Sequence, residues 1–232
     1  MCKSPFSSDA PATSTPSAST KLRWKARDAI PRVILLGRLS LYGRGAERLH
    51  EEIVPVTARW VEPGQRKGPL EPYAREAEAK TLELLDRSLG EAGGRPPSDT
   101  IQRKLLAAAA RDIRELLPQL EPRAAEWADA AERRLRERGE RESRELTETL
   151  ERQRERVRDE LEKYEKAGSQ LTLDFGDEEK RQLEADARSW RSRLEQFARD
   201  LAEEPARIRD FYEVKARRVE PVGLVYLWPE SN

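Results

Sequence analysis

Residue types that build many enzyme sites are nearly absent from this sequence. The 232-residue chain contains one cysteine, one histidine and one methionine. Cys2 cannot form an internal disulfide, and one histidine with one cysteine cannot supply the common zinc-binding sets. His50-Glu51 begins like the zinc-protease motif HExxH, but Val54 stands where the second histidine is required. We predict no metal site.

Motifs for nucleotide and covalent chemistry are also missing. The sequence has no GxGxxG loop and no GxxxxGK loop followed by Ser or Thr. A Ser-His-Asp triad would have to use His50, and no GxSxG elbow accompanies it. Asp174-Phe175-Gly176 matches one kinase motif, but without the other kinase motifs it is interpreted as a turn between helices. We predict no catalytic residue, no cofactor and no small-molecule substrate for this chain.

Long apolar segments are absent as well. No run of 18 or more apolar residues occurs, so no transmembrane helix and no membrane partner are expected. The first 20 residues are mainly Ser, Thr, Pro and Ala, and lack the apolar core of a secretory signal. We therefore expect a cytoplasmic protein.

Charged residues are what the sequence has in abundance. They make up 38% of the chain, against 37% hydrophobic residues, which favours elongated helices with narrow apolar stripes over a large core. The 44 basic residues balance 44 acidic residues. Any site for an anionic partner must therefore be a local charge cluster.

Two distant apolar segments predict the fold. Val222–Trp228, bounded by Pro221 and Pro229, is typical of a buried strand. The other strand candidates, 32–42 and 48–61, form a hairpin in which Pro55 indicates an edge strand or a bulge. We predict an α+β, mostly helical fold, with a small antiparallel sheet split between the two ends of the chain and a long antiparallel coiled-coil helical hairpin inserted.

Helices are predicted between the strands. One spans 73–89, with Leu82, Leu85 and Leu89 on one face, and a second starts near 100. Pro118 is expected to end that helix and Pro122 to begin the next one. Pro205 is expected to open a short helical turn. Pro221 is expected to separate a half-exposed strand at 211–219 from the final strand. The outgoing arm helix ends near 167. The returning helix has a heptad seam made of Leu183, Ala187, Trp190, Leu194, Phe197 and Leu201.

These elements predict three parts of the chain. Residues 1–22 form a disordered Ser/Thr/Pro-rich leader. Residues 23–118 and 205–229 form a compact base with the hairpin, two helices and the C-terminal strands. Residues 119–204 form the coiled-coil arm.

Two basic clusters are the local charge imbalances. One lies in 21–32 and the other in 207–218. Because the arginine guanidinium is a good phosphate ligand, both clusters are candidates for phosphate contacts, although a solvated surface is the interpretation that the residues alone favour. The candidate nucleic-acid residues all lie in the second cluster: Arg207, Arg209, Lys215, Arg217 and Arg218.

The C-terminal segment resembles a known family. Three segments near the C-terminus carry the resemblance: Glu204–Arg209, Tyr212-Glu213-Val214, and the run Arg218-Val219-Glu220-Pro221-Val222-Gly223-Leu224-Val225-Tyr226-Leu227-Trp228-Pro229. Together they are similar to the extreme C-terminus of bacterial Swi/Snf-type DEAD/DEAH-box helicases, including the DISARM phage-defence helicase. The similarity extends over roughly residues 24–229, although only the last 30 are specific. Both motor lobes of that family, with their ATP-binding residues, are missing here.

The resemblance implies an accessory role beside a DNA translocase. The chain would be a non-catalytic C-terminal accessory domain or fragment that assists DNA or partner binding, in phage defence for the DISARM-like case. Its expected partners are helicase motor lobes or a motor subunit, and DNA. The alternative is a structural coiled-coil oligomerisation protein with no nucleic-acid role.

Overall fold

The computed structural model describes residues 20–24, 30–90, 97–170 and 177–229. These residues form four strands, three α-helices and a short 3-10 turn at Arg44–Ala46. In chain order the strands and α-helices are β1 (Thr20–Trp24), β2 (Arg32–Tyr42), β3 (Arg48–Arg59), α1 (Arg75–Gly90), α2 (Asp99–Gln170), α3 (Asp177–Phe211) and β4 (Ala216–Pro229). The predicted α+β, mostly helical fold class is confirmed.

The sheet joins the two ends of the described chain, in the order β1-β4-β2-β3. β4 runs antiparallel to β2. The amide of Lys215 donates to the carbonyl oxygen of Tyr42 at 2.7 Å, and earlier in β2 Arg38 pairs with Glu220, later in β4. The predicted split sheet is therefore confirmed. β3 lies at the edge of the sheet. Pro55 indicated this position, because proline has no N–H to donate to a further strand.

β1 is a strand that the sequence analysis did not predict. It pairs in parallel with β4, with Thr20 opposite Val225 and Trp24 opposite Pro229. Its alternation of apolar and basic residues is a strand signal, but at five residues the segment is too short to be distinguished from a loop. The predicted disordered leader was therefore wrong for Thr20 to Leu22, and residues 1–19 lie outside the described residues.

The apolar core of the sheet contains the predicted C-terminal strand. Ile34, Val225 and Leu227 form a buried cluster, and Leu84 and Leu85 of α1 pack against it. Burying each such side chain contributes about 1.5–3 kcal/mol. Because β2, β4 and α1 meet here, this cluster explains how segments nearly 200 residues apart hold together.

Two prolines that were predicted to break helices lie inside α2. Pro118 and Pro122 are both exposed, whereas Leu116, Leu120 and Ala124 between and beside them are fully buried. An internal proline removes one backbone hydrogen bond and costs about 3 kcal/mol. Continuous burial of the opposite face offsets that cost, so the prediction of two separate helices was wrong.

The predicted breaks at two other prolines were also wrong. α3 continues through Pro205 to Phe211, and β4 contains Pro221. Pro221 is exposed, and the pairing of β4 with β1 begins only at Val225. Pro221 therefore lies where β4 needs no N–H for that neighbour, and the strand tolerates it.

α2 and α3 form the predicted antiparallel helical hairpin. Trp190 of α3 meets Tyr164 of α2 edge to face at 4.8 Å, and beside them Arg191 pairs with Glu165 at 2.6 Å. Phe197, a predicted seam residue, is 6% exposed. The seam also includes buried Ala187 and half-buried Trp190, Leu194 and Leu201, while the side chain of Leu183 lies outside those described.

α1 buries a face that is rotated from the one predicted. Leu85 packs against the buried cluster and Leu82 is half-buried, as predicted, but Leu89 is 61% exposed. The fully buried positions are Glu78, Thr81 and Ser88. These polar side chains are tolerated because they have partners: the Thr81 hydroxyl accepts a hydrogen bond from Arg32 at 2.6 Å. Hydrophobic spacing alone therefore placed the helix correctly but not its inner face.

The chain divides into two compact units. Unit 1 contains the described residues up to Ser40, Glu51–Ala128 and those from Arg217 onward, and unit 2 contains Leu41–His50 and Asp129–Ala216. The predicted base and arm, with boundaries at 118 and 205, stay a prediction about independently folding parts. Among the described residues, no helix is both long and apolar enough to cross a membrane.

Candidate functional site

The five residues predicted to contact nucleic acid belong to different units. Arg207, Arg209 and Lys215 lie in unit 2, and Arg217 and Arg218 lie in unit 1. All five are exposed. Exposure is what a phosphate contact requires, but the charges around each residue decide how strongly it attracts an anion.

Carboxylates neutralise much of this basic cluster. Arg207 pairs with Glu203 and Glu204 on its own helix, and Lys215 pairs with Glu213. Such exposed pairs contribute little to stability, at most about 1 kcal/mol. They do place a negative group beside each cation, so phosphate would have to compete with a carboxylate already in position.

In unit 1, Arg218 shares a carboxylate with a neighbouring strand. Glu220 of β4 pairs with Arg218 on β4 and with Arg38 on β2. The hydrogen bond from Arg38 lowers the pKa of Glu220 below its ordinary value, although burial acts in the opposite direction. This carboxylate therefore stays ionised near neutral pH and offsets part of the positive charge of the two arginines.

Arg209 borders a cleft in unit 2 whose volume is about 320 Å³. Its guanidinium donates to the Ser143 hydroxyl at 2.7 Å, which fixes the end of α3 to α2. The lining residues are Arg136, Arg209, Glu132, Glu140, Asp210, Glu213, Tyr212 and Val214. Carboxylates therefore outnumber guanidinium groups in the lining, so the cleft favours a cationic group over a phosphate.

Tyr212 anchors the same end of α3 on α2. Its hydroxyl donates to Glu142 at 2.7 Å, and its ring lies against Gly139, where an added Cβ would be 3.1 Å from the ring. Hydrogen bonds from Arg138 and then from Tyr212 lower the pKa of Glu142. Gly139, in the interior of α2, is therefore where Tyr212 approaches the helix backbone closely.

The first basic cluster does not form an exposed patch at Arg32. That residue is 6% exposed, donates to Thr81 and lies 5.6 Å from the centre of the Tyr73 ring. Its role is to pack α1 against β2, so Arg32 is not an exposed cation of the first basic cluster. Lys25 and Arg27 lie outside the described residues, as do the side chains of Lys21 and Arg23.

The strongest polar arrangement in unit 1 is centred on Asp112 of α2, whose side chain is fully buried. Trp60 and Tyr226 donate to its Oδ2 at 2.9 and 2.7 Å, and Arg66 donates to its Oδ1 at 2.9 Å. We call these four residues the Asp112 network. Both oxygens of the Asp112 carboxylate accept hydrogen bonds, so this buried acid is satisfied and has a structural role, whereas the buried Nε of Arg66 has no hydrogen-bond partner among the described residues.

Glu115 extends this network to the loop before α1. It accepts from the amide of Leu70 at 2.9 Å and pairs with Arg66 at 3.0 Å and Arg111 at 2.7 Å. Burial acts to raise the pKa of Glu115, but the hydrogen bonds from Arg111 and Leu70 and the charge of Arg66 together lower it. Loop 61–72 is thereby fixed to α2.

Sequence reasoning missed the Asp112 network, although one signal was available. Asp112 lies seven residues after Leu105 and four before Leu116, which puts a carboxylate on the buried face of a helix. A buried carboxylate requires a cationic partner and further donors. The identity of those partners depends on the tertiary fold, since Arg66, Trp60 and Tyr226 come from other elements.

The described residues contain no group of three or more His, Cys, Asp or Glu residues that could hold a metal ion. Comparison with family models, with characterised proteins and with solved structures found no match. The functional argument therefore rests on the residues of this chain and on the resemblance of its C-terminal segment.

Proposed function

We propose that this chain is a non-catalytic accessory domain of a Swi/Snf-type DEAD/DEAH-box DNA helicase, acting in the cytoplasm beside separate motor lobes. What supports the proposal is where the residues of the C-terminal resemblance lie. Tyr226 donates to Asp112, Leu227 is fully buried, and Trp228 contacts Trp60 at 5.3 Å. These residues help to build the packed part of unit 1, as the proposal requires of residues that belong to an accessory domain.

The motor is the main partner in this proposal, and DNA is secondary. Carboxylates accompany Arg207, Lys215 and Arg218, so these cations supply less attraction for phosphate than their number suggests. A protein surface that carries both signs of charge is better suited to a protein partner of complementary pattern. The proposal extends to a role in phage defence only if the partner motor is of the DISARM type.

The motor role is tested by adding the purified chain to a motor of this helicase family. We expect no ATP hydrolysis by the chain alone, and a stable complex with the motor that changes DNA-stimulated ATPase or translocation rates. ATP hydrolysis by the chain alone would overturn the non-catalytic assignment. A motor that neither binds the chain nor changes its rates would overturn the accessory role.

The DNA role is tested by charge reversal. Converting Arg207, Arg209, Arg217 and Arg218 to Glu should weaken duplex binding and flatten its dependence on salt, because fewer counterions are released. Arg191→Glu is a single-site control, since Arg191 is an exposed arginine of α3 in an ion pair with Glu165. Equal affinities and salt slopes for wild type and the quadruple variant, measured by fluorescence anisotropy, would remove DNA from the proposal.

A coiled-coil oligomerisation protein is the second candidate. The hairpin seam weakens it, because Phe197 and Ala187 are buried and Trp190 contacts Tyr164 within the same chain. Native mass measurement separates the two: a salt-insensitive oligomer that ignores both DNA and the motor would favour the second candidate.

A further inference from the structure

The geometry points to a docking surface on the exposed side of α2, in unit 1, for an acidic amphipathic helix of a partner protein. The surface consists of Leu106, Ala110, Ile113 and Leu117, which we call the α2 stripe. Their spacing of four, three and four residues places them on one side of the helix. The inference does not require the partner to be a helicase.

The α2 stripe is apolar and accessible. Leu106 is 52% and Leu117 39% exposed, Ala110 is exposed and Ile113 is half-buried. The buried face of α2 includes the neighbouring Leu116, which is fully buried within unit 1, whereas Leu117 lies on the exposed side. The four residues follow one another along one side of the helix, and a contiguous exposed apolar patch of this kind marks a protein-binding surface.

Two arginines border the stripe and define the charge of its partner. Arg103 and Arg114 are exposed, and the Nε of each donates to a carbonyl oxygen of its own helix, at Asp99 and Ala110. Among the described residues neither forms an ion pair, whereas nearby Arg111 pairs with Glu115. Their guanidinium groups thus remain available for carboxylates of a bound chain.

A helix is the occupant that fits this arrangement. The stripe is about 16 Å long at 1.5 Å per residue, the length over which a partner helix presents apolar side chains at positions i, i+4, i+7 and i+11. Ala110, near the middle, allows a close approach of the two helices. Glutamates beside the partner's apolar face would meet Arg103 and Arg114.

Two synthetic helical peptides test the inference, with the same leucine stripe but bordered by glutamate in one and by lysine in the other. We expect the glutamate peptide to bind the full chain at least about tenfold tighter. Leu106→Ala with Leu117→Ala should weaken its binding by about tenfold or more. Arg103→Glu with Arg114→Glu should reverse the preference between the peptides.

Phe211→Ala is the matched control, since Phe211 of α3 is 45% exposed but lies in unit 2. It should leave peptide binding unchanged, and circular dichroism should show that every variant is folded. Equal binding of the two peptides, or no binding, would overturn the inference. A dimer of the wild-type chain that is lost in the leucine variant would also overturn it, because a second copy would then cover the stripe. The same holds if the chain binds anionic lipid vesicles in a leucine-dependent manner and does not bind the peptide.

Discussion

A buried charged pair in unit 1 contrasts with an exposed pair of the same kind in unit 2. In unit 1, Arg66 and Asp112 pair with side chains that are 5% and 0% exposed. In unit 2, Lys163 and Glu160 pair with side chains that are 71% and 59% exposed. A buried pair whose partner is removed leaves a desolvated charge, whereas water screens an exposed one. The sequence, rich in both signs of charge throughout, does not distinguish the two environments.

The two units also use glycine differently. A Cβ on Gly37 of β2 would be 2.4 Å from Leu120 of α2, whereas one on Gly139 of α2 would be 3.1 Å from Tyr212. The first distance excludes any side chain without movement, and the second requires a small shift. Packing around Gly37 is therefore less tolerant of an added side chain than packing around Gly139.

The largest expected effect is that of Asp112→Ala. It leaves the buried Arg66 with Glu115 as its remaining carboxylate, and leaves Trp60 and Tyr226 without an acceptor, which should together cost about 3–5 kcal/mol in the free energy of unfolding. Urea denaturation followed by tryptophan fluorescence measures this. A loss below about 1 kcal/mol would mean that the Asp112 network is solvated.

Gly37→Ala should have the next largest effect. Its Cβ would overlap the side chain of Leu120, and such overpacking costs about 1–3 kcal/mol. Gly64→Ala is the matched control, because nothing lies within 4 Å of its added Cβ. Equal stabilities of the two variants in urea would contradict the close approach of α2 to the sheet.

A smaller effect is expected from acid. The folded pKa of Glu115 is below its ordinary value of 4.5, so its stabilisation is present above that pH and is lost as the pH falls through the folded pKa. Between about pH 5 and pH 3, wild type should therefore lose more stability than Glu115→Gln. Parallel pH profiles of their urea midpoints would show that Glu115 contributes nothing.

The smallest effect is expected for an exposed pair in unit 2. Arg191→Ala removes the pair with Glu165, whose side chains are 58% and 49% exposed. We expect no change in stability beyond the error of chemical denaturation, because exposed pairs are screened by water and salt. A loss as large as that of Asp112→Ala would break the contrast between the units.

The regular patterns of the chain were predictable. The apolar run at Val222–Trp228, the hairpin before it and the heptad around Phe197 each indicated an element that the structure contains. Prolines misled at Pro118, Pro122, Pro205 and Pro221, which lie inside elements that they were expected to interrupt. Proline propensity is a local quantity, and at Pro118 the burial of Leu116 and Leu120 on the other side of the helix outweighs it.

The candidate site was less predictable than the fold. Arg207 and Arg218 were singled out for their charge, but their carboxylate partners reduce the expected attraction for phosphate. The α2 stripe was hidden because Leu117 fits a buried helical face as well as an exposed one. Which face a neighbouring element covers is not encoded in the spacing of one helix.

The sequence by itself determined the types of the elements and the absence of common zinc and nucleotide motifs. It also indicated that the last strand pairs with the early hairpin. These features follow from hydrophobic periodicity and residue chemistry, which are local properties. Only the tertiary structure decided that Asp112 collects Trp60, Arg66 and Tyr226, and that Leu106 and Leu117 stay exposed. Burial depends on which distant segments meet, and burial sets the free energy of every charge and apolar surface.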